Sequence, residues 1–121
     1  MDTPDKILLI AKDIFFKIGE GHNENVYHNA FKVALRKCGI GYDTEVSIPI
    51  TYEDHQVGLG RIDLLVNNDL IVELKATKTS LGNYEETQAK KYIRFYDRPL
   101  NALLINFRQT GRGDEVVEHK L

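Results

Sequence analysis

The chain has 121 residues, 42% hydrophobic and 28% charged, with a formal net charge of −2. That length allows one hydrophobic core and not two, and no apolar run is long enough to span a bilayer; the single cysteine, Cys38, excludes an intrachain disulfide, and no Cys/His spacing suits zinc. The charge is split, with 7 basic and 12 acidic side chains over residues 1–74 but 8 and 3 over residues 75–112, which marks either a polyanion-binding face or an ordinary solvated one.

In chain order, Ile7, Ile10, Ala11, Ile14, Phe15 and Ile18 recur at helical spacing and predict a helix over 5–18. "GEG" breaks it. Asn23 can cap a second helix whose apolar stripe is Tyr27, Ala30, Phe31, Ala34, Leu35 and Cys38, with Gly39 as its stop. Cys38 reads as a buried thiol, and Tyr42, Tyr52 and Tyr96 as packing residues. From Thr44 the period becomes two, which predicts a half-buried strand that Pro49 places at an edge. Strands at roughly 57–66 and 70–76 follow, joined by Asn67, Asn68 and Asp69. "NYEETQAKKYIRFYD" predicts a third helix, capped by Asn83 with Glu86 at its third position. "NALLINF" is a buried strand, "RQTGRGD" a loop and "EVVEHK" a short last strand. The order α-α-β-β-β-α-β-β makes one α/β domain over residues 1–121.

Three charges interrupt the apolar stretch "GRIDLLVNNDLIVELKA". Alternation puts Ile71, Glu73 and Lys75 on one strand face. If residues 67–69 form the loop, Val66 pairs with Leu70, and Asp63 falls opposite Glu73 on that face. Opposed residues of an antiparallel pair have Cβ atoms about 4.5–5.5 Å apart, so two carboxylates there repel, and burial makes ionisation costlier. A shared proton, a neighbouring cation or a divalent metal relieves the conflict, and hard oxygen ligands suit Mg²⁺ or Mn²⁺. The competing reading is a solvent-facing strand with ordinary charges, or a register slipped by one residue. Glu24 lies on the meridian of Tyr27, Phe31 and Leu35, which aims it inward. Gln88 and Tyr92 stand four apart on one helix face with Tyr84 and Phe95.

"GHNENVY" fits Gly-x-x-Glu-x-x-Tyr as Gly21, Glu24 and Tyr27. With "GRIDLLV", "IVELKA" and "LLINF", it resembles the small GxxExxY proteins of the PD-(D/E)XK nuclease superfamily over roughly residues 7–107. The resemblance implies a restriction-endonuclease-like core, α-β-β-β-α-β, with a central mixed sheet flanked by helices. It also implies a metal-dependent nuclease acting on DNA, with Mg²⁺ or Mn²⁺ held by Asp63 and Glu73, the Leu74 carbonyl as a further ligand, and Lys75 acting on the attacking water. Glu24 matches the acidic position of the superfamily's first helix, as a catalytic group and ligand. Gln88 and Tyr92 are similar to the Gln-x-x-x-Tyr motif of RecB-type nucleases and lambda exonuclease. Ile62 stands where the motif's proline would be. Lys78, Lys90, Lys91, Arg94 and Arg98 are the expected phosphate contacts, a homodimer the expected assembly, and the cytoplasm the expected setting. The alternative is a catalytically inactive module that keeps the fold and binds nucleic acid or protein.

Overall fold

Residues 1–96, 100–114 and 116–120 are described, in a computed structural model. Helix α1, Thr3–Ile18, starts where Asp2 Oδ1 accepts from the Asp5 N–H at 2.9 Å, and it buries Ile7, Ala11, Ile14 and Phe15. Helix α2, Glu24–Lys37, is capped by Asn23, as the sequence predicts, and buries Tyr27, Phe31 and Leu35. Cys38 is exposed rather than buried. The end of α2 overhangs the core there, because Arg36, Lys37 and Gly39 are exposed as well. No helix among the described residues is long and apolar enough to cross a membrane.

Five strands form one sheet in the order β1-β2-β3-β4-β5: Tyr42–Tyr52, His55–Val66, Leu70–Lys75, Asn101–Phe107 and Val117–Lys120. Only β3 and β4 run parallel among the paired neighbours. Strand β1, with Pro49, lies at an edge as expected. It turns into β2 through Glu53 and Asp54, whose φ values of 51° and 63° are those a tight two-residue hairpin requires. Tyr52 beside this turn is 69% exposed and does not pack. The second hairpin has the predicted three-residue loop, with Val66 opposite Leu70, Leu65 opposite Ile71 and Leu64 opposite Val72.

Helix α3 is shorter than the sequence suggested. It covers Asn83–Lys90 and passes into a 3-10 helix over Lys91–Phe95. Its cap is also one residue earlier: Glu85, not Glu86, reaches back to accept the Gly82 N–H at 2.9 Å.

Helices cover both faces of this mixed sheet. On one face α1 and α2 pack on Leu64, Val66, Leu70, Val72 and Leu74, together with alternate residues of β4. Tyr27 stacks on Phe107 with centroids 4.3 Å apart and planes 10° from parallel. On the other face Tyr92 packs with Ile48, Ile62, Leu65 and Ile71, while Ala89 meets Leu81 and Leu104. Strand β4 is therefore buried from Ala102 to Phe107, as its unbroken apolar run predicts.

One polar residue sits inside that run. Asn106 is fully buried; its amide donates to Thr77 Oγ1 at 2.8 Å and to Glu118 Oε1 at 3.0 Å, and its carbonyl accepts the Thr77 N–H at 3.0 Å. A buried amide costs little only when satisfied in this way. The bonds tie the segment leaving β3 to β4 and β5, and so fix the direction in which the chain departs after Lys75.

Candidate active site

The ladder between β2 and β3 stops at Leu64 opposite Val72. Ile62 packs with the Tyr92 cluster, whereas Leu64, two residues on, packs under α1 and α2. Residues of equal parity share a face in a regular strand, so β2 changes face at Asp63. Across from it Glu45 has a φ of 54°, a left-handed conformation that is unusual for a residue with a side chain. The expected ladder pairing of Asp63 with Glu73 is therefore not made. The carboxylates take up backbone donors where the ladder ends. Asp63 Oδ2 accepts from the Leu74 N–H at 3.3 Å, and Glu73 Oε1 accepts from the Asp63 N–H at 3.5 Å. Both bonds are long, but they bring the two acids together as the sequence implied, by side-chain capture rather than by cross-strand opposition.

Proximity and burial have the expected electrostatic consequence. The Glu73 carboxyl is pushed from an ordinary value of 4.5 to about 9, first by burial, then by the charge of Asp63 and a side-chain hydrogen bond with it; the Asp63 N–H and then Lys75 oppose this only in part. A proton thus occupies the pair at neutral pH in the metal-free protein, and a divalent cation could take its place. Mg²⁺ is commonly held by one or two carboxylates and keeps several waters, so the Asp63 and Glu73 oxygens suit it chemically.

A hollow of about 150 Å³ opens beside the pair, lined by Glu73, Lys75, Glu85, Gln88, Tyr92 and Arg61 among others. Four sequence-selected residues, Glu73, Lys75, Gln88 and Tyr92, thus share one cavity. Gln88 Nε2 donates to Tyr84 Oη at 3.1 Å. The Tyr92 ring lies on Gly60 so closely that a Cβ at Gly60 would stand 2.0 Å from Tyr92 Cε1. Leu74 keeps its side chain in the core while its N–H serves Asp63.

Glu24 is placed differently from the expectation. It is exposed, and it lines a separate hollow with Asn23, Asn25 and Ala76. Among the described residues no three His, Cys, Asp or Glu side chains gather where they could hold a metal, so Glu24 does not complete a set with Asp63 and Glu73. The reason is local: its meridian is that of Tyr27, but the first turn of α2 lies beyond the edge of the core. Its neighbours in "GHNENVY" are firmly held. Tyr27 Oη donates to the Gly19 carbonyl at 2.9 Å, and Gln109 reaches both Tyr27 Oη, at 3.1 Å, and the Gly21 N–H, at 2.6 Å. Gly21 and Tyr27 thereby anchor the start of α2, which puts Glu24 beside Ala76, the residue after Lys75.

The basic residues fall in two groups. Lys90, Lys91 and Arg94 line a larger hollow of about 420 Å³ with Glu86, Thr87 and Phe95, and Lys91 borders the smaller one too. Lys90 is paired with Glu86 at 3.1 Å. Lys78 is exposed on the segment after β3, and Arg98 lies outside the described residues. Arg61 was not foreseen from the sequence; its only signal was its place two residues before Asp63.

A family model described as the PD-(D/E)XK nuclease superfamily matches residues 1–118. Comparisons with curated proteins and with solved structures gave no match.

Proposed function

The chain belongs to the PD-(D/E)XK nuclease superfamily, and on that premise we propose that it is a Mg²⁺- or Mn²⁺-dependent deoxyribonuclease whose centre is Asp63, Glu73 and Lys75. The observation that carries this reading is the shared hollow, in which Lys75, Gln88 and Tyr92 surround a carboxyl held proton-rich by burial and by Asp63. Asp63 and Glu73 would hold the ion, with the Leu74 carbonyl as a further donor. When bound, the ion supplies positive charge beside the phosphate oxygens of the scissile bond.

The remaining roles belong to the chain itself. Burial keeps the paired carboxyls poorly hydrated, which strengthens their attraction for a cation. The Lys75 ammonium, next but one to Glu73 along β3, orients the water that attacks phosphorus and stabilises the charge that develops there. Gln88 and Tyr92 hold the nucleotide and close the hollow on the helix side. Glu24, beside Ala76, meets the substrate from the other face. Lys78, Lys90, Lys91, Arg94 and Arg98 contact backbone phosphates. Within the superfamily the Gly21, Glu24 and Tyr27 pattern points to the GxxExxY proteins. A homodimer in the cytoplasm completes the proposal, and the exposed Tyr52, Val57 and Leu59 of the first hairpin are the surface that pairing would cover.

One observation favours the second reading, a module that binds but does not cut: Glu24 stands apart from the carboxylate pair. Two variants distinguish the readings. Glu73→Gln should leave only weak Mn²⁺ binding and abolish cleavage, whereas Lys75→Ala should abolish cleavage and leave most of the metal binding. Wild-type cleavage rates in both folded variants would remove the centre from Glu73 and Lys75.

A further inference from the structure

We propose that Arg61 is a substrate-binding residue, its guanidinium gripping the phosphodiester group that enters the hollow beside Glu73 and Lys75. The inference rests on the nuclease reading for the identity of the ligand, but its geometric basis is separate.

Arg61 lines the hollow with Glu73, Lys75, Gln88 and Tyr92. It is exposed, and its side chain makes no hydrogen bond or ion pair among the described residues, although two carboxyl side chains, Glu73 and Glu85, border the same space. An arginine that only stabilised the fold would be expected to pair with one of them. Its backbone position is nonetheless fixed on both sides. Gly60 lies against the Tyr92 ring with no room for a Cβ, and Ile62 is fully buried in the Tyr92 cluster. The flank of β2 facing β3 is open at Arg61, because strand pairing begins only at Leu64. A rigid main chain thus carries an unpaired cation at the mouth of the site.

The chemistry selects the ligand. Guanidinium presents a planar fork of N–H donors that matches two oxygens of a phosphate, and it is weakly hydrated compared with an ammonium. Three cationic side chains, Arg61, Lys75 and Lys91, line the hollow against the two carboxyl groups, and a divalent ion on Glu73 would shift the balance further toward an anion. Arg61 approaches from β2 and Lys75 from β3, so a phosphate between them is held from two sides.

The test uses Arg61→Ala and Arg61→Lys in the full chain, with melting curves to confirm folding. The first readout needs no catalysis: anisotropy of a labelled single-stranded oligonucleotide in EDTA over a salt series. Loss of one phosphate contact should flatten the slope of log affinity against log salt by about 0.7 in Arg61→Ala, and Arg61→Lys should keep most of the slope. The second is steady-state cleavage with Mn²⁺. Arg61→Ala should lose about 10²–10³-fold in kcat/KM, as removal of a single transition-state donor does elsewhere, and lysine should restore only part of it. Mn²⁺ affinity should be unchanged in both variants. A flattened slope with an inert wild type would uphold Arg61 as a phosphate contact and remove the nuclease reading. An unchanged slope in Arg61→Ala, with kcat/KM within twofold of wild type, would overturn the proposal. Should the alanine variant melt early, the same readings on Arg61→Lys decide through the loss of the fork, a kcat/KM equal to wild type overturning it.

Discussion

The proton on Glu73 should make metal binding strongly dependent on pH. Burial and Asp63 push this carboxyl to about 9. At pH 7, two units lower, about one molecule in a hundred is ionised there. A divalent ion needs the ionised form, so its apparent affinity should rise about tenfold per pH unit, or about a hundredfold from pH 6 to pH 8, with about one proton released per ion bound. Stability of the metal-free protein should follow the same group with a definite sign. The folded state keeps a proton that the unfolded chain loses near its ordinary value of 4.5. The stability this contributes is therefore complete below pH 4.5 and lost as the pH rises through about 9. Calorimetric titration with Mn²⁺ at pH 6, 7 and 8, in two buffers of different ionisation enthalpy, measures affinity and proton release together. Glu73→Gln, which cannot lose a proton, should bind weakly at every pH and release none. Wild-type affinity that is constant from pH 6 to pH 8, without proton release, would refute the coupling of Glu73 to Asp63.

Gly60→Ala should be destabilising by about 1–3 kcal/mol, as overpacked cores are, because its Cβ would stand 2.0 Å from the Tyr92 ring; the loss should shrink when Tyr92→Leu removes the ring, and equal losses in both backgrounds, read from urea midpoints, would contradict the contact. Asn106→Leu should cost about 1–3 kcal/mol for each buried group it strands, with the Thr77 N–H and Glu118 as the first affected; an unchanged unfolding midpoint would show the network to be dispensable. Lys90→Glu combined with Arg94→Glu should weaken DNA binding alike for all sequences and flatten its salt dependence by up to about 0.9 per lost duplex contact, whereas an unchanged slope would make that face merely solvated.

The elements whose burial is set by local periodicity were legible in the sequence. The helix stripes of Ile7 to Phe15 and Tyr27 to Leu35, the continuous run of β4 and the loop at residues 67–69 all follow from side-chain period and turn chemistry. What the pattern hid depends on where an element lies relative to the core. Glu24 and Cys38 continue the α2 stripe in number but sit at its two overhanging ends, where the same meridian meets solvent. The change of face at Asp63 was hidden for another reason. It comes from a break in the alternation that involves Glu45 on the neighbouring strand, and no local propensity announces a left-handed glutamate. Glu73, Lys75, Gln88 and Tyr92 were found because strand and helix periods project them toward one space. Arg61 was passed over because alternation within β2 takes no account of the flank left open where β3 begins late.

The most direct test of the central claim is an assay of DNA cleavage by wild type and Glu73→Gln, on single- and double-stranded forms, with Mg²⁺, Mn²⁺ or EDTA. Cut products are expected only from wild type and only with a divalent ion. Cleavage that persists in EDTA, full activity in Glu73→Gln, or no product from a wild type shown to bind Mn²⁺ and DNA would contradict it.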